Sequence, residues 1–322
     1  MTKKGKLLKR IAWILLSGFI IMNIVAFFHA YKFTHYADNN IKKTATPGKL
    51  TTAEKLKTLL FGVNNPRPEN RKKPKGQYET IVLQSNRKIE CWYLKKQITE
   101  RKDAVKGTVI ICHGYGGDKS SMLDKAAFFD TLHYNSFLID FMGSGGSEGN
   151  TTTIGYKEAE QVKTAYDYLQ QQGEKNIYLF GSSMGSVAIM KAVSDYNLQP
   201  KCIIIECPFG SMYKTVCARF NNMHAPTFPM AGLLIFWGGI QNGYWAFSHN
   251  PVEYARKISN PVLLMYGNRD KSVSREETDE IYANLKGRKT LQVFELAGHE
   301  NYLAGMYKQD WINAVTKFLD TR

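Results

Sequence analysis

The chain is predicted to fold as an α/β protein with a mostly parallel central sheet flanked by helices. Three observations predict it. From Tyr78 onward, short apolar runs alternate with longer stretches of helical periodicity. Residues 176–196 read as strand, pinched turn and helix, with small and apolar residues at helical spacing after the turn. The chain has 322 residues and is 43% hydrophobic, enough for one large α/β domain or two small ones. No internal repeat or low-complexity tract interrupts it.

The N-terminal arm differs in character from the rest. Residues 1–10 form a basic tail carrying Lys3, Lys4, Lys6, Lys9 and Arg10. Residues 11–31 contain no Asp, Glu, Lys or Arg and are long enough at helical rise to cross a hydrocarbon core. Trp13 and Tyr31 sit where interfacial aromatics belong. A transmembrane anchor is therefore expected, over the rival of a cleaved signal peptide, because the run is long and Phe28-His29-Ala30 makes a poor cleavage site. The positive-inside bias would give a single-pass protein of the cell membrane with its N-terminus cytoplasmic and its body extracytoplasmic, although Lys32, Lys42 and Lys43 flank the other end. Residues 32–76 read as a basic linker with one short helix at 51–61 and a Pro-, Asn- and Lys-rich stretch at 64–76. On this reading, deletion of residues 1–40 releases a soluble, active body.

The net charge of +15 belongs to this arm. Residues 1–76 hold 16 Lys/Arg against 3 Asp/Glu, and the remainder holds 27 against 25. Such a distribution fits a membrane flank and gives no nucleic-acid groove.

Residues 77–322 are expected to form the domain. Runs at 78–84 and 89–94 suggest a hairpin turned at 85–87. Strands are expected at 107–112, 136–140, 177–180, 202–205, 262–266 and 291–294, and helices at 121–133, 154–172, 186–196, 275–285 and 302–319. Residues 208–250 are expected to be an irregular, aromatic-rich insert. The cysteines, Cys91, Cys112, Cys202, Cys207 and Cys217, show no metal-binding spacing, and their odd number leaves at least one free or paired between chains.

Chemistry enters at Gly181-Ser182-Ser183-Met184-Gly185, a G-x-S-x-G between strand and helix. That context makes it a nucleophile elbow with Ser183 at the apex. A plain strand-to-helix turn is the bland alternative. A serine hydroxyl needs a base, and the base needs an orienting partner. In a parallel sheet such groups lie just past the carboxyl ends of strands. The strand at 262–266 is followed by Asp270 and the strand at 291–294 by His299. Asp270 could instead cap the next helix, although Ser272 and Ser274 are better caps. Two backbone N–H groups are expected to stabilise the oxyanion, those of Met184 and of Tyr115 in the loop His113-Gly114-Tyr115-Gly116-Gly117. His113 is expected to orient that loop. His224 and His249 are expected at the surface or in packing. The glycines at 143–149 do not follow a phosphate-binding pattern, so no nucleotide site is expected.

Together these motifs resemble the α/β-hydrolase family over residues 78–319. They are H-G-Y-G-G after the third strand, D-F-M-G-S-G-G-S-E-G at 140–149, G-S-S-M-G, P-V-L-L-M-Y-G-N-R-D, and A-G-H. The likeness is greatest to the serine-aminopeptidase (S33) and monoglyceride-lipase-like branch and to bacterial membrane-anchored hydrolases. The resemblance implies Ser183 as nucleophile, Asp270 as acid and His299 as base. It also implies that the insert at 208–250 is a cap. Many relatives carry Arg where this chain has Met142, which puts any structural ion pair there in doubt.

The insert holds many aromatics and only Lys214 and Arg219 as charges, so it suits a small-molecule substrate with an acyl chain. Packing of the cap on the sheet would explain the same aromatics. The expected activity is serine hydrolysis of an ester, thioester or amide through an acyl-enzyme, esterase- or lipase-like, with no metal or organic cofactor. The alternatives are an aminopeptidase-like peptidase, disfavoured because 208–250 contains no Asp or Glu, and a binding protein on a hydrolase fold.

Overall fold

The computed structural model describes residues 3–38, 40–45, 49–97 and 104–320. The predicted tail, linker and domain each run in part over residues 1–2, 39, 46–48, 98–103 and 321–322, which lie outside the described residues.

One eight-stranded sheet organises the chain, in the order β1-β2-β4-β3-β5-β6-β7-β8. The strands are β1 (Glu79–Gln84), β2 (Lys88–Leu94), β3 (Gly107–Cys112), β4 (Tyr134–Ile139), β5 (Ile177–Ser182), β6 (Cys202–Glu206), β7 (Val262–Gly267) and β8 (Lys289–Phe294). The β1/β2 hairpin is antiparallel and so is β2 against β4; every other pair is parallel. The strands β3, β6 and β7 are buried along their whole length, and their sequences are nearly continuous apolar runs because helices cover both faces. Alternate side chains point to opposite faces. Ile110, Leu179, Ile203 and Leu264 enter one core with α4 (Glu158–Gln171) and α5 (Met184–Tyr196). Val109, Phe180, Ile204 and Leu263 enter the other with Phe129 of α3 (Leu123–Thr131) and Trp311 of α10 (Lys308–Asp320).

The order reverses beside β3, since β4 lies on one side of it and β5 on the other. The segments that follow the paired β3 and β5 therefore leave for helices on opposite faces of the sheet, and the crevice between them is the usual ligand position in such a sheet.

Three predicted elements differ in the structure. The helix expected at 302–319 begins only at Lys308, after a short 3-10 turn at Gly305–Tyr307, because Gly305 has positive φ (76°). The helix α4 begins at Glu158, not at residue 154, because Ile154 and Gly155 have positive φ (57° and 101°). The Glu158 carboxylate accepts from the N–H groups of Thr153 (2.9 Å) and Gly155 (3.0 Å), which fixes that turn outside the helix. Residues 208–250 are not irregular. They form α6 (Met212–Asn222) and α7 (Met230–Asn242), followed by α8 (Pro251–Ala255), before α9 (Arg275–Asn284) returns to the sheet. The run of α7 is apolar nearly all round and carries three glycines, so its sequence shows no helical stripe.

Its helicity depends on a partner, α1 (Lys3–Thr34). The Trp237 indole N–H donates to Asn23 Oδ1 (3.1 Å), and Gln241 donates to the carbonyl of Phe27 (2.8 Å). Phe27 and Trp237 meet edge to face at 5.3 Å. The α1 helix is long and apolar enough to cross a membrane, and most of its side chains are exposed. Ala26, Ala30 and Thr34, near its C-terminal end, are buried.

Beyond α1 the chain does not hang free. Tyr36 N–H donates to Asn150 O (2.7 Å), and bridges join His35 to Thr151 and Ala37 to Pro66. The α2 helix (Thr52–Phe61) follows, closed by a capping box between Thr51 and Glu54. The Arg67 guanidinium then donates to the carbonyls of Gly145 (2.9 Å), Ser147 (2.6 Å) and Gly149 (3.1 Å). The stretch read as a linker is thus bonded to the glycine-rich loop after β4.

Candidate active site

Ser183 sits between β5 and α5 with φ 51° and ψ −113°, a conformation costly for any side chain-bearing residue. The surroundings impose it. Ser183 N–H donates to Glu206 O at 2.8 Å, and Ser186 Oγ lies 2.8 Å from both Gly181 O and Glu206 O. A Cβ on Gly181 would lie 2.6 Å from Ser186 N, and one on Gly185 would lie 2.4 Å from Cys112 O. Both flanking glycines are therefore demanded by close approach of β5, α5 and β3.

The other two predicted residues arrive from the next strand ends. His299 Nδ1 lies 2.6 Å from Asp270 Oδ2, and His299 Nε2 lies 2.9 Å from Ser183 Oγ. These partners assign the proton to Nδ1, donating to the carboxylate, and leave Nε2 to accept from the hydroxyl. The other Asp270 oxygen accepts from the N–H groups of Ser272 (2.7 Å) and Val273 (3.0 Å). Ser274 caps α9 with a capping box to Glu277, so Asp270 is not its cap. The Asp270 side chain is fully buried, whereas the His299 ring is one-third exposed and can meet a substrate.

The loop after β3 runs beside the elbow: a Cβ on Gly114 would lie 3.5 Å from Ser183 Cβ. His113 is buried, with Nδ1 donating to Gly114 O (2.8 Å) and Nε2 accepting from Phe141 N–H (3.1 Å). Burial lowers its pKa, so the neutral ring ties the loop to the β4 end. No protein acceptor among the described residues takes the N–H of Tyr115 or Met184. Both predicted oxyanion donors are thus uncommitted.

Sequence reasoning missed what holds this loop. Tyr115 OH donates to the carbonyl of Phe33 (2.7 Å) and accepts from Asn65 (2.8 Å). Its ring stacks on Phe33 at 5.3 Å, and the Arg219 guanidinium lies 3.8 Å from the Phe33 ring on α1. Gly116 N–H donates to Tyr36 OH (3.2 Å). Burial pushes both phenols far up, so both stay protonated. Phe33, Tyr36 and Asn65 lie in the arm, where no motif marks them.

Asp140 retains a buried ion pair despite Met142. The cation is Lys119, which also bonds Glu90 Oε1 (2.7 Å) and stands 4.4 Å over the Trp92 ring. Under the elbow, buried Glu206 bonds Lys125 (3.0 Å) and the Trp311 indole N–H (2.6 Å). All five cysteines are free. Cys207 Sγ shares a neighbourhood with the Asp270 and His299 side chains, within 4.8 Å, but it lies 2.6 Å from Tyr302 OH. Burial pushes that thiol well up, which makes it a poor metal ligand.

His224 is exposed, as expected of a surface residue. His249 is a fully buried packing residue, with Nε2 donating to Ile154 O (3.0 Å) and Nδ1 accepting from Tyr254 OH (2.9 Å). Burial lowers its pKa from 6.5 to about 4. A depressed folded-state pKa gives stability that is complete above pH 6.5 and is lost as pH falls toward 4. That contribution amounts to roughly 3 kcal/mol. Urea unfolding of His249→Gln should show a flatter loss of stability between those pH values than the parent. An unchanged slope would remove His249 as the cause.

A cavity of about 700 Å³ lies between α1, α2 and the insert. Its lining is mainly apolar and reaches Ser272, next to the Asp270 turn, but includes none of Ser183, Asp270 or His299. A second cavity of about 440 Å³, beside Ser211, Lys214 and Glu280, has a mixed polar and apolar lining that likewise includes none of these three residues.

Residues 103–254 match the family model described as serine aminopeptidase, S33. The uncharacterized protein YqkD of Bacillus subtilis is 26% identical over 60% of this chain and 64% of its own length, so the match spans just under two thirds of that relative. Protein bem46 of Schizosaccharomyces pombe is 26% identical over 67% of this chain and 70% of its own. Among solved structures, the esterase Pf2001 of Pyrococcus furiosus superposes with a TM-score of 0.64 at 24% identity, over 80% of this chain and 99% of that one. Est1E of Butyrivibrio proteoclasticus, solved with ferulic acid, superposes with a TM-score of 0.59 at 16% identity, over 75% and 98%.

Proposed function

We propose that this chain, which has the α/β-hydrolase fold, is a membrane-anchored serine esterase acting on acyl substrates through a covalent intermediate. The observation that carries the reading is the continuous hydrogen-bonded row Asp270–His299–Ser183, at 2.6 and 2.9 Å. Ser183 Oγ attacks the ester carbonyl carbon as its proton passes to His299 Nε2. The oxyanion accepts from the N–H groups of Tyr115 and Met184. His299 then protonates the departing alkoxide, leaving the acyl group on Ser183. Water, deprotonated by His299, releases the acid. Asp270 stays ionised and stabilises the imidazolium formed in each half. The α1 helix serves as a single-pass anchor, and the basic tail keeps the N-terminus cytoplasmic with the body on the other side.

An esterase is favoured over an aminopeptidase by the insert. A free substrate amine needs a carboxylate partner, and residues 208–250 contain none. The family description keeps the peptidase as the second reading. Fluorophosphonate labelling tests the proposal: the parent protein should be labelled and Ser183→Ala should not. A folded parent that resists the probe would favour a binding protein instead.

A further inference from the structure

The placement of the apolar cavity bears on where the acyl chain comes from. On α1 it is lined by Ile21, Met22, Val25, His29, Ala30, Phe33 and Thr34, one face of the helix at helical spacing. Ile21 is the midpoint of the uncharged run 11–31. It stands about 15 Å of helix rise from either end, half the thickness of a hydrocarbon core. The lining therefore starts at midplane depth and climbs to Phe33, whose carbonyl holds the Tyr115 loop. Its outer rim is apolar on both sides and exposed, at Ile21 (60%) and Phe228 (84%). The insert's outer surface continues this character with exposed Phe236, Ile240 and Trp245, and α7 carries no charge. The only Lys or Arg on the described lining is Arg219, at the Phe33 end. An apolar end at midplane depth and a charged end beside the site match the polarity of a lipid standing in one leaflet.

We infer that α1 is a wall of the acyl site and that the substrate is an ester-linked bilayer lipid. Its chain slides sideways from the leaflet between α1 and the insert, without crossing water. This rests on the serine-hydrolase reading above. It adds that the anchor contributes to substrate binding, beyond holding the enzyme at the surface.

The test uses the full chain in phospholipid vesicles. The readout is the ratio of two rates: hydrolysis of a long-chain diacylglycerol in the vesicle, and of p-nitrophenyl butyrate in solution. Val25→Trp narrows the cavity from its α1 side and should lower that ratio roughly tenfold or more. Ile24→Trp, whose side chain is exposed and off the lining, should leave it unchanged. An unchanged ratio in Val25→Trp overturns the inference. So does equal hydrolysis of the same diacylglycerol when it is presented on albumin. If Val25→Trp fails to fold, the parent decides alone. A long-chain alkyl fluorophosphonate with a diazirine near its tail should crosslink to α1 or α7; crosslinks confined elsewhere overturn the idea. Failure of the esterase reading looks different, with neither ester cleaved and no fluorophosphonate on Ser183.

Discussion

Replacing His299 with alanine is expected to lower the turnover of p-nitrophenyl butyrate by about 10⁴-fold or more. The reason is geometric. His299 Nε2 is the acceptor 2.9 Å from Ser183 Oγ, and no other base is bonded to that hydroxyl among the described residues. Without it, the hydroxyl must ionise unaided at neutral pH. The loss should not grow when Ser183→Ala is added, because the two side chains act as one unit. Steady-state kinetics of the two single variants and the double variant check this. Activity within a few-fold of the parent in His299→Ala would mean that another group takes the proton.

The second large effect is expected from removing residues 1–40, and it reverses the expectation drawn from sequence. Read as anchor plus linker, that arm should be dispensable. In the structure, Phe33 O and Tyr36 OH bond the Tyr115–Gly116 loop, and α1 takes the Trp237 indole N–H and covers one side of α7. Deletion strips the proposed oxyanion loop of two of its supports and exposes the apolar face of α7 to water. Misplacing one oxyanion donor costs about 10²–10³ in kcat. We therefore expect residues 41–322 to lose at least about 100-fold in kcat on p-nitrophenyl butyrate, with a lowered melting temperature. A chain lacking only residues 1–20 keeps Asn23, Phe27, Phe33 and Tyr36 and should retain most turnover on this soluble ester. Purified 41–322 working within a few-fold of the full chain would show that the arm is only a tether.

Much of the sheet was legible because fully covered parallel strands leave an unmistakable trace. Runs such as those of β3, β6 and β7 are continuous apolar blocks closed by glycine or polar residues. Ser183 could be nominated from a glycine-flanked serine between strand and helix, and Asp270 and His299 from one rule about strand ends, applied twice. The start of α4 was misread because apolar Ile154 matches the helical stripe, while its positive φ is set by a carboxylate four residues later. The insert was misread because α7 is apolar on nearly every side. Periodicity appears only when the exposed face is polar; here α1 and the cavity take part of the helix surface, and the exposed remainder is itself apolar at Phe236 and Ile240. The Asp140 ion pair was doubted at Met142 because its cation, Lys119, comes from a different loop.

By itself, then, the amino-acid sequence determined the alternation of strands and helices, the tight strand-to-helix turn at Ser183 and the membrane-length apolar run. Each is written in local pattern, in hydrophobic period and in glycines that a tight turn requires. Only the tertiary structure decided that α1 docks on the insert and that Phe33, Tyr36 and Asn65 brace the Tyr115 loop. Those contacts join residues 50 to more than 200 positions apart, such as Asn65 with Tyr115 and Asn23 with Trp237. Long-range packing of this kind leaves no periodic signal, because each partner's local sequence is compatible with many other neighbours.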